Sequence, residues 1–194
     1  TRYRSSAASD VYKRQIASYS VVDCRCSVVF EDVNLENALL NHATLIDLNK
    51  DGKIQCEEAE SFSGTIDIPN KSIKSLFGLE AFINISGINA SSNELTSFDL
   101  LKSTRIKNLD VSNNQLTSLR LGNYETVENL LLRNNKFTSI NIENYINLKK
   151  IDCSHNELGS IDVSKNTLLE ELNIGHNNLT SIDISANLVL KNLY

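Results

Sequence analysis

The chain has 194 residues, which allows one domain or two, and its formal net charge is −5, from 19 Lys plus Arg and 24 Asp plus Glu. Hydrophobic residues make up 41% of the chain, so a packed core is expected and wholesale disorder is excluded. This mild acidity gives no electrostatic basis for binding nucleic acid, and no apolar run approaches the ~18 residues of a membrane span.

The first fifteen residues differ in character from the rest of the chain. Asp10 to Gln15 reads DVYKRQ, which resembles a translation of the transposon end used to prepare sequencing libraries. We therefore expect residues 1–15 to be a disordered artefact, the alternative being a genuine basic arm. Residues 16–30 form an N-terminal segment whose origin the sequence leaves open. The chain contains no Met, so we expect a fragment or a processed chain.

Residues 31–64 contain the motif that points to chemistry. The segment from Asp47 to Glu58 fits the twelve-residue EF-hand calcium loop, D-x-[DN]-x-[DN]-G-x₅-E, without a mismatch. Calcium prefers six to eight oxygen ligands. The predicted ligands are the side chains of Asp47, Asn49 and Asp51, the Lys53 carbonyl, Gln55 through a water, and both oxygens of Glu58. The alternative is an acidic turn that never binds metal.

This loop is predicted to lie between two helices. Asp32 is the expected N-cap of the first, whose apolar face is formed by Leu35, Ala38, Leu39 and His42. The exit helix is predicted over residues 56–62. Because the chain has one such loop and no Met, we expect the ion to fasten a helical cap over the solenoid's open end, rather than to act as a paired-hand sensor.

Residues 85–194 repeat every 21 residues. Five lines follow the leucine-rich repeat pattern LxxLxLxxNxL, starting at Ile85, Ile106, Val127, Leu148 and Leu169, and a truncated sixth starts at Leu190. Each LxL core predicts one short strand of a parallel sheet, and a second apolar pair per coil predicts a second extended stretch. Residues 65–84 are predicted to be an atypical capping repeat, helical over 76–82. The predicted fold is an α/β leucine-rich repeat solenoid of mostly short parallel strands, capped by the small EF-hand-like segment.

One Asn in each coil occupies the turn that leaves the strand. Its amide can satisfy backbone groups that the turn leaves unpaired, so the five are predicted to stack as a buried ladder. They are Asn93, Asn114, Asn135, Asn156 and Asn177. The alternative is that these residues line a binding site.

Ligand binding, if any, is predicted on the concave sheet, between the inward LxL residues. There an apolar residue and an Arg interrupt a polar pattern, which is typical of an interaction surface. The candidate residues are Asp110, Leu131, Arg133, Lys150 and Asp152.

The remaining cysteines and histidines give weaker signals. Cys153 occupies an inward LxL position and is expected to be a core residue, whereas a disulfide from Cys24 or Cys26 to Cys56 stays open. Two histidines, His155 and His176, occupy equivalent positions in adjacent coils and should stack. They are either two surface residues or a metal or ligand site.

Together, the segments IDLNKDGKIQCEEAE and GTIDIPNKSIKSLFGLEAF and the repeats resemble secreted leucine-rich repeat proteins of Bacteroidetes-type bacteria and, less closely, internalins. The resemblance covers about residues 28–194. It implies an extracellular or cell-surface location and a non-catalytic module, expected to be monomeric, that binds a protein or a glycan. The alternatives are an accessory segment of a larger secreted enzyme and a cytosolic calcium switch.

Overall fold

The computed structural model describes residues 26–194, so the expected artefact over 1–15 and Cys24 lie outside the described residues. Two short helices, α1 (Val33–Leu40) and α2 (Cys56–Ser61), precede the first strand. None of the helices in the described part of the chain has the length and apolar character needed to cross a membrane. Beyond the helices the chain winds into a solenoid.

Seven parallel strands, one from each successive coil, form the main sheet. They are β1 (Thr65–Asp67), β2 (Gly87–Asn89), β4 (Asn108–Asp110), β6 (Asn129–Leu131), β7 (Lys150–Asp152), β8 (Glu171–Asn173) and β9 (Asn192–Leu193). From β2 onward each residue pairs with the residue 21 positions later. The predicted parallel-strand solenoid with 21-residue coils is confirmed.

The second extended stretch is less regular than the sequence predicts. Only β3 (Asp99–Leu100) and β5 (Arg120–Leu121) pair as strands, aided by an ion pair of 3.3 Å between Asp99 and Arg120. In the later coils the equivalent side chains of Asn141, Asp162 and Asp183 accept hydrogen bonds from the backbone N–H two residues on. These local turns compete with strand pairing, so the second sheet ends after two coils.

A single hydrophobic core runs through the cap and the repeats. It begins with Val28, Leu35 and Leu39, continues through Ile66 of the first coil, and reaches Leu172 near the end of the solenoid. The inward LxL residues fill it, because alternate residues of each strand point to one side. The helical cap is therefore part of the same folded unit as the repeats.

The cap follows the predicted pattern except at His42. Asp32 caps α1 by accepting a hydrogen bond from the Asn34 backbone N–H at 2.8 Å, and Leu35, Ala38 and Leu39 are buried. The prediction for His42 was wrong, because α1 ends at Leu40. The His42 ring instead accepts a hydrogen bond from the Asp67 backbone N–H at 2.9 Å and so ties the cap to β1.

The helical spacing over residues 76–82 yields one 3₁₀ turn, Leu79–Ala81, instead of a full helix. Gly78, immediately before it, has a φ of 99°, a left-handed conformation that interrupts a right-handed helix. A Cβ at this position would come within 2.6 Å of the Phe30 ring. The glycine thus lets the N-terminal segment lie directly against the first coil.

Candidate functional site

The twelve-residue loop at 47–58 has the turns that its sequence predicts. Lys50 and Gly52 have φ values of 60° and 81°, which reverse the chain at the position where the motif requires a glycine. The Asp47 carboxylate accepts hydrogen bonds from the backbone N–H of Asp51 at 3.3 Å and of Gly52 at 2.9 Å. Its side chain therefore points into the loop.

The carboxylate at the end of the loop also points inward. Glu58 Oε1 accepts from the Leu48 backbone N–H at 2.7 Å and the Asn49 backbone N–H at 3.2 Å, and Oε2 accepts from the Gln55 N–H at 2.9 Å. The last of these bonds is half of a capping box that starts α2. Asp47 and Glu58 are both buried, and both accept hydrogen bonds from backbone N–H groups.

The remaining predicted side chains form an exposed polar cluster at the loop surface. Asn49 and Gln55 donate to Asp51 Oδ2 from their side-chain amides at 3.3 and 2.9 Å. The hydrogen bond from the Gln55 amide, supported by donors from Lys53 and Asn49, outweighs the opposing effect of desolvation and lowers the pKa of Asp51 below its usual value. Within residues 26–194 no three His, Cys, Asp or Glu side chains converge closely enough to hold a metal. Hence the loop has the predicted turns and donors, but its carboxylates do not form a closed cage.

A short N-terminal strap braces this loop from behind. Val28 donates from its backbone N–H to the Ile54 carbonyl at 2.8 Å, and the Cys56 N–H donates to the Cys26 carbonyl at 2.8 Å. A disulfide joins Cys26 to Cys56, with their Cα atoms 5.6 Å apart. The sequence left this pairing open between two cysteines. The strap thus fixes the end of the loop and the start of α2 by two backbone hydrogen bonds and a covalent bridge.

The five candidate residues of the concave face lie together. Asp110, Leu131 and Asp152 pair in register on three neighbouring strands, so they form a row with a spacing of about 4.8 Å. Leu131 is half-buried between the two carboxylates. Both Asp residues also cap the following turn, since each accepts a hydrogen bond from the backbone N–H two residues later.

The basic candidates lie beside this row. Lys150 pairs with Glu171 at 2.7 Å on the next strand. Arg133 is exposed, and its Nη2 lies 3.5 Å from His155 Nε2. His155 in turn stacks on His176, with ring centroids 4.1 Å apart and planes at 18°. Burial, His176 and Arg133 lower the pKa of His155, which favours the neutral form of that ring. Parallel rings do not direct their nitrogens to one point, which disfavours a metal held by the pair alone.

The five repeated Asn side chains form a ladder that joins successive coils, in which the first four residues are buried and Asn177 is half-buried. In each, the side-chain amide donates to carbonyls of its own coil and of the coil before it, and the oxygen accepts from a backbone N–H of the previous coil. Asn135, for example, donates to Val111 O and Leu132 O at 3.0 Å and accepts from Leu116 N at 2.9 Å. The amide groups of these side chains already hydrogen-bond to the backbone, which disfavours a role as ligand contacts.

An alternating charge ladder along the strand entrances was missed by the sequence reasoning. It consists of Lys107, Glu128, Lys149, Glu170 and Lys191, which follow one another at steps of 21 residues. Glu128 pairs with Lys107 at 3.3 Å and with Lys149 at 2.7 Å, and Glu170 pairs with Lys191 at 2.5 Å. The charge ladder is visible in the sequence when the charged positions are aligned at the same 21-residue period as the apolar positions.

The family model for the leucine-rich repeat domain of endo-β-N-acetylglucosaminidase EndoS matches residues 48–156, more than half of the chain. The chain belongs to this family of leucine-rich repeat domains. The matched region begins inside the loop at 47–58, covers three complete repeats and ends within the fourth. No curated protein matches the sequence closely enough to count as a relative.

Solved structures with a similar fold are bacterial leucine-rich repeat proteins. Internalin C2 of Listeria monocytogenes matches with a TM-score of 0.60 at 17% identity, over 86% of this EndoS-type chain and 88% of that chain. A leucine-rich repeat protein of Leptospira interrogans matches with a TM-score of 0.53 at 26% identity, over 60% of this chain and 34% of that one. The functional domain of InlJ from Listeria monocytogenes is 23% identical, with a TM-score of 0.42 and 82% of this chain covered. The present chain spans 43% of InlJ, less than half of its length.

Proposed function

We propose that this chain is a non-catalytic interaction module that binds a protein or a glycan on its concave face outside the cytoplasm, with calcium stabilising its N-terminal cap. The single observation that carries the binding proposal is the row Asp110–Leu131–Asp152. It presents a half-buried apolar side chain between two carboxylates on a rigid parallel sheet. An exposed Arg133 two residues beyond Leu131 adds one of the residue types that are enriched in binding hot spots.

The calcium proposal rests on the donors of the loop. Asp47 and Glu58 are buried carboxylates in a surface loop. Burying an anion costs free energy unless the anion is neutralised or well hydrogen-bonded. Calcium would add the positive charge that their N–H partners do not supply. Asn49, Asp51 and Gln55 would contribute oxygens by rotating away from their mutual hydrogen bonds. Residues 47–58 carry Asp47, Asp51, Glu57 and Glu58 against Lys50 and Lys53, a net charge that favours a divalent cation.

The Cys26–Cys56 disulfide supports the proposed location. Disulfides persist in oxidising compartments and are rare in the cytosol. A single braced loop, with no second loop of this kind among residues 26–194, also fits a structural ion better than a regulatory one. Extracellular calcium modules typically bind at about 10⁻⁴–10⁻³ M, a range that such a staple tolerates.

Binding on the concave face can be tested with the purified chain in calcium-containing buffer. We expect signals on a printed glycan array or an array of extracellular proteins that are lost in Leu131→Ala/Arg133→Ala. The matched control is Leu168→Ala/Lys165→Ala, which removes an exposed apolar and an exposed basic residue away from the strands of the main sheet. Signals that survive in the Leu131/Arg133 variant would rule out this face.

A second candidate function follows from the family match. The model is named for an endo-β-N-acetylglucosaminidase, so the chain is alternatively the repeat segment of a larger glycan-cleaving enzyme. Incubating the complete gene product with a glycoprotein that carries Asn-linked glycans separates the two. Glycan release supports the enzyme, and its absence under conditions where the concave face binds supports the stand-alone module.

A further inference from the structure

A cleft on the back of the solenoid lies outside every site described so far. It has a volume of about 280 Å³ and lies between the second and third repeats, lined by residues 117–124 and 137–145 together with Leu132. It is separate from the concave row and from the calcium loop. Two tyrosines, Tyr124 and Tyr145, distinguish these coils from their neighbours.

The tyrosines occupy a column in which other coils carry small polar residues. At steps of 21 residues the column reads Ser103, Tyr124, Tyr145, Asn166 and Asn187. In the later coils the Asn side chains tie each coil to the one before it. Asn166, for example, donates to Ile142 O and Tyr145 O at 2.9 Å. The tyrosines make no such tie to the coil before, since the Tyr124 hydroxyl accepts only from Leu121 N of its own coil at 3.5 Å. The space between the two tyrosine-bearing coils stays open.

Tyr145 supplies an unused donor at this cleft. The residue as a whole is only 3% exposed, but its hydroxyl is not among the buried unpaired polar atoms, and no group of residues 26–194 hydrogen-bonds to it. Burial raises the pKa of the phenol and the neighbouring Tyr124 adds to that effect, so the hydroxyl stays protonated. The two rings lie 4.9 Å apart at 53° and form an aromatic wall.

The rest of the lining is uncharged and combines polar side chains with the apolar ones of Leu119, Leu132, Phe137 and Ile140. Asn144 contributes an amide, Ser118 and Ser139 contribute hydroxyls, and the Asn141 amide already donates to Glu143 Oε1 at 3.2 Å. An ionic ligand would lose hydration here without gaining a counter-charge. A neutral ligand that carries several hydroxyls could pair with these groups while one apolar face packs on a tyrosine. The volume lies just below that of pockets for drug-sized ligands, which fits a single ring.

We propose that this cleft binds one neutral sugar ring, with Tyr145 donating a hydrogen bond to a sugar hydroxyl and Tyr124 packing on the ring face. The site goes beyond the proposed function, because it lies on a different face and needs neither Leu131 nor Arg133. A ligand of this size gains little free energy in total, so the expected dissociation constant is on the order of 1 mM.

The test uses isotope-labelled full chain in calcium-containing buffer and follows backbone amide resonances during titration with glucose, galactose, mannose and N-acetylglucosamine. At least one sugar should shift resonances from both cleft segments. Tyr145→Phe should weaken that binding about threefold to tenfold, the loss typical of one hydrogen bond. Tyr124→Ala should weaken it more than tenfold.

Two controls keep the outcome specific. Tyr194→Phe makes the same chemical change at a residue outside the cleft and should bind like the parent chain, as should Leu131→Ala/Arg133→Ala. Tyr145→Phe preserves the ring and should melt at the parent temperature, so its loss of binding would not reflect unfolding. The proposal is overturned if no sugar shifts the cleft resonances, if Tyr145→Phe binds unchanged, or if benzyl alcohol shifts them and no sugar does.

Discussion

The helical cap and the repeat body stabilise their turns in opposite ways. The body uses one solution five times, because the same Asn satisfies the same backbone groups in each coil. The cap uses several solutions once each, including the Cys26–Cys56 disulfide, the Asp32 cap and the His42 contact to β1. In the body, each coil depends on its own copy of the Asn contact. In the cap, each contact occurs once. Single substitutions in the two regions should therefore lower the unfolding free energy by different amounts.

The largest effect is expected in the body, from Asn135→Ala. This change leaves the buried Leu116 N–H without its acceptor and removes one donor from the carbonyls of Val111 and Leu132, which still accept from Asn114 and Asn156. Because an unsatisfied buried N–H costs about 1–3 kcal/mol and each lost hydrogen bond about 1 kcal/mol, the unfolding free energy should fall by about 3–5 kcal/mol. Urea denaturation measures it, with the partly exposed Asn129→Ala as control. A loss equal to that of the control would show that the ladder is not what stabilises the coils.

In the cap, the largest effect is expected from Cys26→Ala. The bridge closes a loop with a sequence separation of 30 residues, so its removal should cost about 2–4 kcal/mol. Reducing agent should lower the melting temperature of the parent chain and leave that of the variant unchanged. Equal melting temperatures for the oxidised parent and the variant would contradict a stabilising strap.

Asp32→Ala should have a smaller effect. The carboxylate caps α1 and also accepts from the Lys74 N–H at 2.6 Å, so its loss should cost about 1–2 kcal/mol. Partial burial acts to raise the pKa of Asp32, but the backbone donors of Lys74, Ser75 and Asn34 outweigh it and lower that pKa. Its contribution is therefore present above the unfolded-state pKa and is lost as pH falls through the folded-state value. Thermal melts of parent and variant should converge in acid, and a constant gap would contradict this assignment.

The smallest effect is expected from Glu128→Gln on the exposed charge ladder. Hydrogen bonds and charge from Lys149 and Lys107 lower the pKa of Glu128, so any stabilisation is lost as pH falls through that pKa. Exposed pairs are weak and screened, hence the difference in melting temperature should vanish in high salt. A loss that persists in high salt would mean that the ladder contributes by more than charge.

The same contrast explains which features could be predicted from the sequence. The repeat positions were predictable because each residue lies beside the equivalent residue 21 positions away. The alignment of one repeat therefore gives the strand register of the next. The cap offers no such repetition, which is why His42 was assigned to a helix that ends at Leu40 and the partner of Cys56 stayed open. Tyr124 and Tyr145 lie outside the repeat signature, and only the folded coils bring them together at a cleft.

The central claim, a cap stapled by calcium, is tested most directly by thermal melts with millimolar Ca²⁺ and with chelator at matched ionic strength. The parent chain should melt higher in Ca²⁺, since a ligand at a hundredfold its dissociation constant stabilises by about 2.7 kcal/mol. Asp47→Asn/Glu58→Gln should lose this response, whereas Glu57→Gln, an adjacent carboxylate at a non-ligand position, should retain it. Identical melting temperatures of the parent chain with and without Ca²⁺ would contradict the claim that calcium stabilises the cap.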